Sequence, residues 1–205
     1  MSLISQEACE RVEAAIKRAE AQTSTEFVVA VIPRSDDYLL GPVLAAAAWT
    51  LGTAFVIGWF MPLLPTFDVV ALELPIALVT FFLFRLPAIH RRLIPKAVAE
   101  EHVRRRAFAL FSERGLYRTR DASGMLILVS ELEHRVVLLG DRGIHEKVGD
   151  AGWQAHVDHI VAAIRRGDTA QGIIDVIERL SALHAEHMAA RPDDRDELPN
   201  SVLRG

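Results

Sequence analysis

The feature that most constrains this 205-residue chain is a stretch with no charged side chain, from Tyr38 through Phe67. Within it, Leu39 to Leu64 reads LLGPVLAAAAWTLGTAFVIGWFMPLL, longer than the roughly 20 apolar residues a bilayer-spanning helix needs. A buried helix of a soluble protein rarely stays apolar all the way round for that length, because only its core-facing side gains from it. Trp59 lies near one end, where an amphipathic ring favours the membrane interface, and Gly41, Gly52 and Gly58 permit close helix contact. A second run, Val69 to Leu86, reads VVALELPIALVTFFLFRL, with Glu73 and Pro75 in its first turns and a clean apolar stretch only from Leu74 to Phe84. The expectation is a transmembrane hairpin, with helices at about 39–64 and 69–86, inside an insertion covering 36–95.

Charge sets the orientation of such a hairpin. The linking segment holds Pro62, Pro65, Asp68 and Glu73 but no lysine or arginine, whereas Arg85, Arg91, Arg92 and Lys96 follow the second run and Arg34 precedes the first. By the positive-inside rule both flanks are expected in the cytoplasm. The first eleven residues carry Glu7 and Glu10 and no apolar run, so a cleavable signal peptide is not expected there. A net charge of −4 gives no concentrated basic surface for neutralising phosphates, and a nucleic-acid partner is not expected. Cys9 is the sole cysteine, which excludes an intrachain disulfide and a cysteine-rich metal site.

The two pieces outside the insertion, 1–35 and 96–190, read as one domain of alternating helices and strands. Ser5 is an N-cap candidate for a helix whose stripe is Ala8, Val12, Ala15, Ile16 and Ala19. Glu26 to Ile32, EFVVAVI, is apolar on both parities, as suits a central strand covered on both faces, and Pro33 stops it. Val103, Ala107, Leu110 and Phe111 mark a helix closing at Gly115. Its outer face carries Arg104 to Arg106, a solvated face or, beside a membrane, a lipid head-group contact. Gly124 to Ser130 and Arg135 to Leu139 read as a strand hairpin. Trp153, Val157, Ile160, Val161 and Ile164 form a helix ended by Gly167, and Ile173, Val176, Ile177 and Leu180 form the last helix. The tail, 191–205, is polar and expected to be disordered. The fold class is α/β: a small mixed sheet flanked by helices, interrupted by the hairpin.

The segments TSTEFVVAVIP (Thr23 to Pro33), FSERGLYRTRDASGMLILVSELEHRVVLLGDRGIHEKV (Phe111 to Val148) and WQAHVDHIVAAIRRGDTAQGI (Trp153 to Ile173) together resemble the TPM domain, a family that includes thylakoid lumen and photosystem II repair proteins and many bacterial membrane proteins. The resemblance implies a central sheet between helices. It also implies one of three activities: acid phosphatase, calcium binding, or assembly and repair. Two departures weaken a phosphatase assignment. Asp121, Ala122, Ser123 and Gly124 stand where many relatives have Asp-Asn-Gly, and Gly140, Asp141, Arg142 and Gly143 stand where they have Gly-Tyr-Gly. With the bacterial relatives, the hairpin places the expected location in an inner (plasma) membrane.

Chemistry is sparse. A strand hairpin puts Asp121 and Asp141 at the same sheet end, and a right-handed crossover brings Glu26 there as well. Three carboxylates are hard oxygen ligands suited to Ca²⁺ or Mg²⁺. The plainer reading is that Asp121 caps a turn, Asp141 sits in a solvated loop and Glu26 flanks its strand. His156 and His159, like His184 and His187, are three apart on helices, but their apolar neighbours favour packing or surface roles over zinc. No nucleophile elbow or phosphate-cradling loop is present. The leading functional expectation is a membrane-tethered interaction or assembly module with a protein partner. The alternative is a divalent-metal-dependent phosphatase-like hydrolase. A scaffold that homo-oligomerises through small residues such as Ala45 to Ala48 and Gly52 is the third.

Overall fold

The computed structural model describes residues 4–120, 122–186, 188–190 and 198–204, with the backbone alone for 145 and 147–151. In chain order its elements are α1 (Gln6–Glu20), β1 (Glu26–Ile32), α2 (Leu40–Phe60), α3 (Thr66–Phe84), α4 (Pro87–Leu93), α5 (Lys96–Glu113), β2 (Gly124–Ser130), β3 (Arg135–Gly140), α6 (Arg142–Arg166), α7 (Thr169–Ala185) and β4 (Leu203–Arg204). They fall into two compact units, Met1–Ser35 with Glu100–Gly205, and Asp36–Ala99.

The first unit is a four-stranded mixed sheet in the order β3-β2-β1-β4. β1 and β2 run parallel from Glu26 opposite Gly124 to Ile32 opposite Ser130, while β2 and β3 are antiparallel. Because side chains alternate across a strand, β1 and β2 feed two cores. Phe27, Val29, Val31, Met125, Ile127 and Val129 pack with residues of α1, α6 and α7. Val28, Ala30, Ile32, Leu126 and Leu128 pack with Val103, Ala107 and Leu110 of α5. Both strands are buried along their whole length, as the apolar run on both parities requires.

Local chemistry sets the ends of these elements. The Ser5 hydroxyl accepts the Ala8 N–H (3.1 Å) and caps α1, satisfying one of the donors that a helix start leaves without an intrahelical partner. Gly115 takes φ +70° after α5 and leads into a 3₁₀ turn, Leu116–Arg118, packed so tightly on β2 that a Cβ at Gly124 would lie 2.2 Å from the Leu116 carbonyl oxygen. Where β1 ends, the buried Glu133 carboxylate accepts the Ser35 N–H (2.9 Å) and the hydroxyls of Ser35 and Ser130 (2.5 Å each), tying the last residue of β1's extension to the β2–β3 turn.

Two features of this unit differ from expectation. The last described residues of the tail are ordered: Leu203–Arg204 adds a parallel strand beside Ala30 and Val31, Val202 is buried, and Leu198 and Leu203 pack on the α5-side core. The polar composition hides these three apolar side chains, whose burial offsets the entropy of ordering the segment. Residues 191–197 lie outside the described residues. In addition, α6 begins at Arg142, well before Trp153, with Asp141 as its N-cap rather than in an open loop.

The second unit is a pair of apolar helices plus a short one. Pro62 and Pro65 bracket the turn, so α2 stops at Phe60 and α3 starts at Thr66, earlier than the sequence pattern suggests. Glu73 therefore sits eight residues into α3, roughly 10 Å along the axis, instead of in its first turn. Its Oε2 accepts a hydrogen bond from the Thr53 hydroxyl of α2 (3.0 Å). Pro75 lies inside α3, where it removes one helical N–H. The helix α4 was not evident in the sequence. Pro87 stands in its first turn, where the missing N–H costs nothing, and its His90 is buried with Nε2 donating to the Tyr38 carbonyl (3.2 Å).

Candidate functional site

The end of the sheet formed by the starts of β1 and β2 and the end of β3 is where the carboxylates were expected. Glu26 stands opposite Gly124 on one side, and its N–H donates to the Ser123 carbonyl (3.2 Å). On the other side the Asp141 N–H donates to the Gly124 carbonyl (2.9 Å). Glu26 and Asp141 are thus brought to the two flanks of one glycine. Glu26 is buried, while Asp141 is half-buried, and its Oδ1 accepts the Arg142 N–H (2.7 Å) at the start of α6. That carboxylate faces a helix N-terminus, where a negative charge is favourable.

Asp121, the third carboxylate, lies outside the described residues. Among the described residues no three His, Cys, Asp or Glu side chains converge on a point that a metal ion would occupy.

Beside this sheet end lies a cleft of about 470 Å³ lined by Ser112, Arg114, Tyr117, Arg118, Thr119 and Leu198, among others. The Arg118 guanidinium lies 5.2 Å from the centre of the Tyr117 ring, and its Nε donates to the Tyr117 hydroxyl (2.9 Å). Thr119 Oγ1 accepts the Ser123 N–H (3.0 Å), and the Ser123 hydroxyl donates to the Ser24 carbonyl (2.6 Å). Hydrogen bonds therefore run from the cleft wall to the residue next to Glu26's partner strand. The cleft presents the guanidinium of Arg118 and the hydroxyls of Ser112 and Tyr117 together with the Glu113 carboxylate. The sequence pattern does not reveal it, because it forms at a 3₁₀ turn and is closed by a residue of the tail.

Two of the paired histidines make hydrogen bonds within the α/β unit. His184 is buried, with Nδ1 3.0 Å from the Thr25 hydroxyl. His159 Nε2 lies 2.8 Å from Asp175 Oδ2, joining α6 to α7. The Asp175 carboxyl is held below the usual carboxylate range by the Gln171 amide that donates to it, with His159 adding to the effect. Burial pushes His156 below the usual imidazole value, helped by the nearby positive charge of Arg179 and by His159. His187 lies outside the described residues.

In the second unit, α2 and α3 are 21 and 19 residues long, and only Pro42 and Ala46 of the first and Thr80 of the second are buried. Among the described residues, every exposed large apolar side chain except Val98, Phe108 and Tyr117 lies between Leu39 and Leu86. The chain thus has two helices long and apolar enough to cross a membrane.

The architecture defines a mixed α/β protein with a four-stranded sheet between helices, interrupted after its first strand by an apolar helix pair. The family model described as the TPM domain matches residues 91–183 of the chain. The first strand and its lead-in precede that match. Among solved structures, the NMR structure of the BA42 protein from the psychrophilic bacterium Bizionia argentinensis is similar over 98% of this chain and 95% of that chain, with a TM-score of 0.60 and 22% identity. At that identity the likeness is one of fold. A comparison with curated proteins finds no match.

Proposed function

We propose that this protein is anchored in a bacterial inner membrane by α2 and α3, and that its α/β unit serves as an interaction or assembly module on the cytoplasmic side. The observation that carries the anchoring is the exposure of large apolar side chains along α2 and α3: Leu51, Phe55, Trp59, Phe67 and Leu74 are each at least 68% exposed. Leaving such surface in water costs about 25 cal/mol per Å², whereas lipid tails solvate it. Positive residues flank the pair at Arg34, Arg85, Arg91 and Arg92, and the turn between the helices has none, which supports a cytoplasmic position for both chain ends. In cells, the full chain is expected to stay with the membrane pellet after a high-pH carbonate wash. A cysteine at position 64 is expected to react with an impermeant reagent from outside, and one at position 198 is not. Release into the supernatant would defeat the anchoring, and the reverse labelling pattern would defeat the orientation.

A second reading, hydrolysis of phosphate esters, is favoured by the guanidinium and hydroxyl groups of the cleft next to the carboxylate-bearing sheet end. The full chain in neutral detergent, assayed on p-nitrophenyl phosphate with and without Ca²⁺ or Mg²⁺, tests it. Turnover abolished by both Arg118→Ala and Asp141→Ala would place catalysis ahead of interaction.

A further inference from the structure

We propose that Arg85, Arg91 and Arg92 form a binding site for the phosphate group of an anionic phospholipid at the end of the apolar helix pair. The inference rests on the anchoring reading above. Arg85 is the C-cap residue of α3, and its guanidinium carbon lies 5.8 Å from the centre of the Phe81 ring one turn back. A cation drawn along an aromatic face at the end of an apolar helix is in the position of a side chain whose stem lies in the hydrocarbon and whose head reaches the interface. Leu86 alone separates it from α4.

The orientation of α4 is set by its buried side. His90 is 3% exposed, donates to the Tyr38 carbonyl and meets the Tyr38 ring edge-on at 6.3 Å, while Leu93 packs on Gly41 at the start of α2. With His90 pinned inward, the next two residues, Arg91 and Arg92, are exposed. Neither they nor Arg85 has a carboxylate within ion-pair distance among the described residues. Arg105 and Arg106 of α5, by contrast, pair with Glu101 and Glu113.

Three guanidinium groups with no carboxylate partner among the described residues, placed at a lipid–water boundary, select a phosphate, because the planar fork matches phosphate oxygens bidentately. Zwitterionic lipids carry a phosphate too, but their own cation cancels the net attraction. Each basic side chain near an anionic surface is worth about fivefold in affinity. Three together give a preference on the order of a hundredfold for anionic over zwitterionic lipid.

The test uses the full chain purified in neutral detergent, with bound lipid read by native mass spectrometry during titration with phosphatidylglycerol or phosphatidylcholine. Wild type is expected to retain phosphatidylglycerol preferentially. Arg91→Gln/Arg92→Gln is expected to lose at least tenfold of that preference and Arg85→Gln about fivefold, while Arg91→Lys/Arg92→Lys keeps most of it. An unchanged preference in the double glutamine variant overturns the site, as does displacement of the lipid by an equal concentration of inorganic phosphate. The carbonate wash, run in parallel on the same variants, separates the two failures. A wild-type chain that leaves the membrane sinks the anchoring itself, whereas a chain that stays without lipid preference sinks only the headgroup site.

Discussion

β2 and α2 are both unbroken apolar runs, yet the chain treats them in opposite ways. Every residue of β2 is buried, between α5 on one face and α1, α6 and α7 on the other. Of the 21 residues of α2, only Pro42 and Ala46 are buried. The sheet unit consumes its apolar surface internally, and the helix pair presents its own to whatever surrounds it. Apolar character alone does not say which will happen. The length of the run and the presence of a second layer to cover it do.

The comparison can be broken by substitutions matched for chemistry. Leu128 is fully buried, so Leu128→Ala is expected to destabilise the α/β unit by roughly 2–5 kcal/mol, since it loses both transfer energy and packing. Chemical denaturation of the full chain in detergent measures this, and retention in the membrane pellet should not change. Leu51 in α2 is 73% exposed, and Leu51→Arg is expected to oppose membrane insertion by about 3–4 kcal/mol while leaving the denaturation midpoint of the α/β unit unchanged. If Leu51→Arg unfolded the sheet unit, or Leu128→Ala released the chain from the membrane, the contrast between the two would be lost.

Smaller effects sharpen the picture of the sheet unit. Asp141→Ala removes the cap of α6 and should cost about 1 kcal/mol. Calcium is expected to leave the melting temperature of wild type and variant alike unmoved. Calcium-dependent stabilisation of the wild type that the variant lacks would instead establish a metal role for this sheet end. The smallest effect is on pH dependence. Burial lowers the His156 value in the folded state, so the unfolded chain binds more protons as pH falls through the ordinary imidazole value near 6.5. Stability should therefore decline on acidification below about pH 6.5, and His156→Gln should flatten that slope. Asp175, also held low, adds an acid-side loss only below the ordinary carboxylate range near pH 4.

Much of this architecture was legible in the residues. EFVVAVI and GMLILVS announce buried strands through β-branched and aliphatic side chains on both parities, and the structure places them at Glu26–Ile32 and Gly124–Ser130. Ser5 announces its helix because a hydroxyl at that position has a backbone N–H to accept. The early part of α6 was not legible, since Gly143, Gly149 and Gly152 each cost about 1 kcal/mol in a helix. Burial of Ile144 counts against that cost, a tertiary effect that no local pattern shows. The same holds for β4, where pairing with β1 orders two residues of an otherwise polar tail. At the candidate site, strand order was enough to bring Glu26 and Asp141 to one end. The arginine-lined cleft was not foreseen, because Leu198 reaches it from a segment far away in the chain.

The parallel register of β1 with β2 has a consequence for how the protein is made. Glu26 emerges from the ribosome about a hundred residues before Gly124, its partner, which at 5–20 residues per second is a delay on the order of 5–20 s. During that interval β1 has no strand to join, while the whole of α2 and α3 is synthesised. Under the anchoring proposed above, the apolar helices are ready to enter the bilayer before β1 and β2 can pair, so the sheet closes only afterwards.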